Sequence, residues 1–221
     1  MKIGYFADGI WSHRTIEKIV SNEEFEISFI VPRYSSQDPT LKSWAHRLGI
    51  DFLPLRQINS LSSKQILKKY NVDIFVSMSF DQIFKKDIMS LPSLGAINCH
   101  AGALPFYRGR NVLNWVLIND EETFGVTVHY VDEGIDTGDI ILQHIEPIKD
   151  EDNYQSLLNK ASNICADLLY DSLNMILNND VKRIKQHDID PSGSYFRKRV
   201  LGDENIDWNW NSRKIFNFVR S

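Results

Sequence analysis

Leu94 to Gln143 reads LGAINCHAGALPFYRGRNVLNWVLINDEETFGVTVHYVDEGIDTGDIILQ. An apolar run closes on Asn98-Cys99-His100, and a loop rich in Gly, Pro and Arg follows it. A helix-like segment and an alternating strand then lead into the acidic loop Asp132-Glu133-Gly134-Ile135-Asp136-Thr137-Gly138-Asp139. Short apolar runs ending in polar residues suit an α/β sheet, which keeps its chemistry at strand ends and in the loops beyond them. Asn98 and His100 are two apart on a strand, so both side chains point to one face. Acyl transfer needs such a pair, a donor for the oxyanion and a base for the nucleophile's proton. Taken alone, an NxH pair reads first as a polar strand end with a hydrogen-bonded histidine.

Upstream, the same alternation repeats. Ile3–Ala7, Glu26–Val31, Asp73–Met78 and Ala96–His100 are predicted strands, with a short one at Phe52–Pro54. Helical spacing covers Arg14–Val20 (capped by Ser12), Leu41–Leu48, Leu61–Tyr70 and Ile83–Leu91. Such βαβ units predict a doubly wound, mostly parallel sheet of Rossmann-like type. Phe124–Val131 and Ile140–Ile145 read as its final strands, and the apolar stripe over Asn153–Leu177 as one long packing helix. From Lys182 the composition turns polar. The expected division is a domain over 1–180 and a C-terminal extension over 181–221 whose last element looks cut short.

The chain has 221 residues, 43% hydrophobic and 24% charged, with a formal net charge of −4. A protein gripping a nucleic-acid backbone would show an excess of Lys and Arg, so no nucleic-acid partner is expected. The apolar runs are strand-sized, too short for a membrane span or a signal peptide, and a cytoplasmic location is expected. The two cysteines lie far apart in sequence and read as free thiols in a reducing compartment. The turn after the first strand lacks GxGxxG, which removes a dinucleotide fingerprint. The acidic loop lacks the order of a calcium-binding loop and is flanked by strands, so no metal is expected; a carboxylate delivered to His100 is the better reading. His46, His129, His144 and His187 show no ligand spacing and read as structural or surface residues. Arg108 and Arg110, with Arg197, Lys198 and Arg199, are locally basic and suit an anionic ligand.

Together, the NxH pair, LPFYRGR, GVTVHYVDEGIDTGDIILQ and the late SYFRKR, IDWNW and IFNFVR segments resemble the N10-formyltetrahydrofolate-dependent formyltransferases, over Phe75 to Arg220. Within that superfamily the sequence is most similar to sugar N-formyltransferases. The resemblance implies the formyltransferase fold and a one-carbon transferase using N10-formyltetrahydrofolate as co-substrate. Asn98 would bond the formyl oxygen, His100 would take the amine's proton, and Asp136 would hold His100. Gln82, Ile83, Phe84, Arg110, Asp132, Glu133, Gly134 and Ile135 would hold the folate. Trp11, His13, Arg108, Gly109, Arg197 and Lys198 would meet a nucleotide-linked amino sugar. A dTDP-linked 4-amino-4,6-dideoxyglucose of O-antigen synthesis is the first choice; UDP-4-amino-arabinose, a dTDP-3-amino sugar and GDP-perosamine stand beside it. A homodimer through the long helix and aromatic tail is a further implication. HAGALP departs from the commoner HxSLLP at the loop after His100. Methionyl-tRNA formyltransferase would need a further domain and a tRNA surface. A non-catalytic binding module would lack one of Asn98, His100 and Asp136.

Overall fold

The computed structural model describes residues 1–221. The first half alternates strands and helices: β1 (Lys2–Ala7), α1 (Gly9–Val20), β2 (Glu26–Pro32), α2 (Pro39–Leu48), β3 (Asp51–Phe52), α3 (Leu61–Lys68), β4 (Ile74–Met78), α4 (Lys86–Met89) and β5 (Ala96–His100). The second half carries β6 (Arg108–Gly109), α5 (Val112–Ile118), β7 (Thr123–Tyr130), β8 (Ile140–Pro147), α6 (Tyr154–Leu177), α7 (Gln186–Ile189), β9 (Tyr195–Phe196) and α8 (Ser212–Arg220). Seven strands form one sheet in the order β3-β2-β1-β4-β5-β7-β8, and β6 pairs with β9 separately. The first five are parallel to one another, and β7 and β8 run antiparallel. The strand order reverses between β1 and β4, and ligands of open α/β sheets sit at such a switch point, beyond the carboxyl ends of the strands.

Both faces of the sheet are covered, which is why β1, β2 and β4 are almost continuously apolar. On one face Ile3, Tyr5 and Ile97 pack with Ile16 and Ile19 of α1, Leu117 of α5 and Leu157, Leu169 and Leu173 of α6. On the other, Phe6, Phe29 and Phe75 meet Leu67 of α3 and Ile88 of α4. The long helix α6 begins with a capping box in which Asn153 and Ser156 bond each other's backbone N–H groups; such caps contribute about 0.5–2 kcal/mol. No helix is long and apolar enough to cross a membrane.

Three expectations change. Helix α1 starts at Gly9, with Asp8 at its N-cap position, because Ser12 lies fully buried inside the helix and donates its hydroxyl hydrogen to the Gly9 carbonyl at 2.7 Å. The helix expected over Ile83–Leu91 shrinks to the single turn α4. Asn59 draws the preceding chain into a loop by accepting from the Lys85 N–H and donating to the Ile83 carbonyl. Cys99 of β5 and Cys165 of α6, expected to be free, form a disulfide with Cα atoms 6.2 Å apart. A sequence separation of 66 concealed it, because only the packing of α6 on the sheet brings the two together.

The segment after residue 180 packs on the rest of the chain. Tyr195 and Phe196 pair with Arg108 and Gly109, and the Phe196 ring stacks on Tyr107 with centroids 4.5 Å apart. Asn211 caps α8, which lies against α5, and Arg213 bridges Asp120 and Asp150.

Candidate active site

Asn98 and His100 project from one face of β5, at the carboxyl end of the strand. Antiparallel pairing sets His129 of β7 directly opposite Asn98, and Thr127 opposite His100. His129 is buried, with Nδ1 2.8 Å from the Tyr130 carbonyl oxygen and Nε2 3.3 Å from Asn98 Nδ2. A carbonyl only accepts, so Nδ1 carries the hydrogen and Nε2 accepts from the amide. One amide hydrogen of Asn98 is thereby fixed, and the other is left for a ligand. His129, read from sequence as structural or surface, is thus part of this cluster. The available signal was the alternation of Thr127 and His129 with Val126 and Val128, which marks a polar, inward strand face.

His100 is 9% exposed and donates from Nε2 to the Tyr107 carbonyl at 2.7 Å, while its Nδ1 lies 3.5 Å from Asp136 Oδ2. The departure at HAGALP has a geometric counterpart here. A Cβ at Gly102 would fall 2.5 Å from the Tyr107 carbonyl oxygen and 2.6 Å from His100 Nε2. The Tyr107–His100 contact therefore requires glycine at this position.

Asp136 reaches the histidines from the acidic loop. Its Oδ2 accepts from the Gly109 N–H at 2.9 Å, and its Oδ1 is 3.6 Å from His129 Nε2, too far for a hydrogen bond. Burial pushes its carboxyl up, but the His100 charge and the Gly109 N–H oppose burial, and the carboxyl is held well below the usual carboxylate range. Asp136 adopts a left-handed backbone with φ +54, and strain of this kind costs about 1–3 kcal/mol for a non-glycine residue. Asp132 folds the start of the loop by accepting from the Gly134 N–H and the Thr137 hydroxyl at 3.1 and 2.6 Å.

These groups border a cavity of about 590 Å³, within the usual range for small-molecule sites. One wall is the segment after β4, where Ile83 is exposed at 59% and Phe84 is buried in the second core. Gln82 borders the cavity, but its amide is spent on the Leu55 carbonyl and the Ile58 N–H. Asp132, Gly134 and Ile135 form the facing wall, with Trp11, Gly109, Arg110 and Lys198 at other edges.

Four expected contacts lie outside the lining. Glu133 is exposed and does not border the cavity. His13 Nε2 is 2.8 Å from Asp38 Oδ2, in the cap of α2. The guanidinium of Arg197 is held by both oxygens of Asp203, whose carboxyl falls to about 2 beside Arg197. Arg108 turns away from the cavity to Gln186, donating from Nε and Nη2 to Gln186 Oε1 at 3.0 and 2.7 Å. In each of the last three, a nearby partner of opposite charge or matching polarity captures the side chain.

A profile of the formyl transferase family matches residues 36–172. Among curated relatives, the bifunctional polymyxin resistance protein ArnA of Wigglesworthia glossinidia brevipalpis is 39% identical over 180 residues, 81% of this chain and 27% of that protein. A methionyl-tRNA formyltransferase of Clostridioides difficile is 40% identical over 217 residues, 93% of this chain and 68% of the relative. The chain therefore spans only part of the length of either. The solved structure of an N-formyltransferase from Helicobacter canadensis, in complex with folinic acid and dTDP-3-aminofucose, is similar with a TM-score of 0.78. The two are 26% identical, and the match covers 100% of this chain and 80% of that one. With a profile match over more than half its length, and with Asn98, His100 and Asp136 gathered beside one cavity, the chain belongs to the formyl transferase family.

Proposed function

We propose that this chain transfers a formyl group from N10-formyltetrahydrofolate to the amine of a nucleotide-linked amino sugar. The observation that carries the reading is the convergence of Asn98, His100 and Asp136 beside a single cavity. The co-substrate, when bound, supplies an activated formyl carbon. The cavity fits a folate in kind: exposed Ile83 and the Ile135 loop offer apolar walls for a flat ring, with Asp132 at the polar edge.

The free amide hydrogen of Asn98 would donate to the formyl oxygen as negative charge grows there, a contribution of about 2.7–4 kcal/mol in comparable sites. With its Nδ1–H directed at Asp136, His100 would accept the amine's proton at Nε2 after the hydrogen that Nε2 shares with the Tyr107 carbonyl has passed to solvent and the amine has taken that carbonyl's place. Asp136 fixes the ring through Nδ1 and balances the positive charge that then develops. Lys198 and Arg110 border the cavity and are suited to the diphosphate of a nucleotide sugar.

The similarity to a structure named with dTDP-3-aminofucose supports a dTDP-linked sugar and raises a 3-amino group to equal standing with the 4-amino-4,6-dideoxyglucose expected from sequence. A second reading, methionyl-tRNA as acceptor, is favoured by the 40% identity to the Clostridioides difficile relative. Incubation with N10-formyltetrahydrofolate and a panel of dTDP-, UDP- and GDP-linked amino sugars, alongside charged initiator tRNA, tests both. Tetrahydrofolate release dependent on an amino sugar is the expected result; release with the tRNA alone overturns the sugar assignment.

A further inference from the structure

We propose that Gln186 is a positioning residue for the reaction, fixing the Asp136 carboxylate against His100 by tying together the two segments that hold it. The kinetic part of this proposal rests on the formyl-transfer reading; the geometric part does not.

Gln186 opens α7, outside every motif that marked the site in sequence, and is 2% exposed. All of its amide's polar capacity is used in one place. Nε2 donates to the Asp136 carbonyl and to the Gly138 carbonyl, both at 2.8 Å, while Oε1 accepts the two hydrogens from Arg108. Arg108 precedes Gly109, whose N–H donates to Asp136 Oδ2. The contacts thus close a ring. From Asp136 Oδ2 it runs to the Gly109 N–H, along one residue to the Arg108 guanidinium, across the Gln186 amide, and back to Asp136 through its own carbonyl oxygen.

The carbonyl so captured belongs to a residue in the left-handed region. A strained backbone persists only where its surroundings over-determine it, and a buried amide making both donor bonds to this loop does so. Removing the amide takes the hydrogen-bond donor from the half-buried Asp136 and buried Gly138 carbonyls and the acceptor from the Arg108 guanidinium, which the loop relieves by moving. Small displacements of a catalytic group are costly in rate. The titratable groups facing Asp136 are His100 from β5 and His129 from β7. Arg108 faces Gln186 from β6, and Asp190, next to α7, is tied to the Ser192 and Gly193 N–H groups.

The test compares wild type with Gln186→Leu, which removes every contact, and Gln186→Glu, which keeps an acceptor for Arg108 but no donor for the acidic loop. Steady-state kinetics are normalised to the folded fraction, and the Asp136 side-chain carbon is titrated by NMR. The expected result for both variants is a kcat lowered about tenfold or more, with KM for both substrates within about twofold of wild type. The Asp136 titration is expected to move up towards the ordinary carboxylate range. An unmoved Asp136 titration overturns the proposal, whether or not kcat falls, because the residue is then merely structural. If wild type transfers no formyl group at all, the functional reading fails, and the NMR titration alone decides the positioning role.

Discussion

Asn98 and His100 show what a single residue pair discloses from sequence. Their shared direction follows from strand periodicity alone and required no knowledge of the fold. His129 was not legible in the same way, because its place beside Asn98 comes from an antiparallel register with a strand far along the chain. Arg108 and Arg197 were expected at an anionic ligand, but Gln186 and Asp203 capture them; sequence gives a side chain's charge and not its destination. Gly102 supplies a prediction at this scale. Gly102→Ala places a methyl group against His100 Nε2 and the Tyr107 carbonyl. Turnover is expected to fall by on the order of 10², with a stability loss of about 1–3 kcal/mol from overpacking. Steady-state kinetics and urea unfolding measure the two effects, and an unchanged kcat would contradict the placement of His100 Nε2 at the reacting amine.

Among the elements, those with many repeats of a pattern were legible. The alternation of apolar runs with helical segments gave the parallel sheet, and ten apolar positions at helical spacing gave α6 nearly to the residue. The four-residue helix α4 was overestimated because local spacing cannot register that Asn59, from a distant loop, bonds the backbone at Ile83 and Lys85. The pairing of β9 with β6 was hidden for a similar reason, since two-residue strands have no periodicity to read. Helix α6 covers one face of the sheet, and Leu169 lies fully buried at its middle. Leu169→Ala is expected to cost about 2–5 kcal/mol, measured as a lowered urea midpoint at unchanged slope. A cost below about 0.5 kcal/mol would show that α6 is not the cover of the core that its packing indicates.

For the molecule as a whole, three largely buried carboxylates set the response to acid. Burial pushes Asp38, Asp136 and Asp152 up, but each is held below its ordinary value. The opposing groups are the Leu41 and Gly9 N–H groups for Asp38, His100 with the Gly109 N–H for Asp136, and the Lys149 N–H with Lys160 for Asp152. A folded value below the unfolded one, about 3.9, gives stability that is present above roughly pH 4 and lost as pH falls towards the folded value. Thermal unfolding followed between pH 5 and pH 2 should therefore show Tm dropping below about pH 4. Asp136→Asn removes one of the three contributors, so its Tm should fall less steeply across that range; an identical slope would show that Asp136 carries no such linkage.

The central claim is that Asn98, His100 and Asp136 act together to move a formyl group onto an amine. Its most direct test follows a carbon-13-labelled formyl group from N10-formyltetrahydrofolate into dTDP-linked 3- and 4-amino sugars by mass spectrometry, in wild type, Asn98→Ala and His100→Ala. The expected result is label in the sugar amide with wild type and a rate lowered about 10²–10⁴-fold in either variant, with far-UV circular dichroism unchanged. Transfer at near wild-type rate in both variants, or no transfer by wild type to any amine offered, would contradict it.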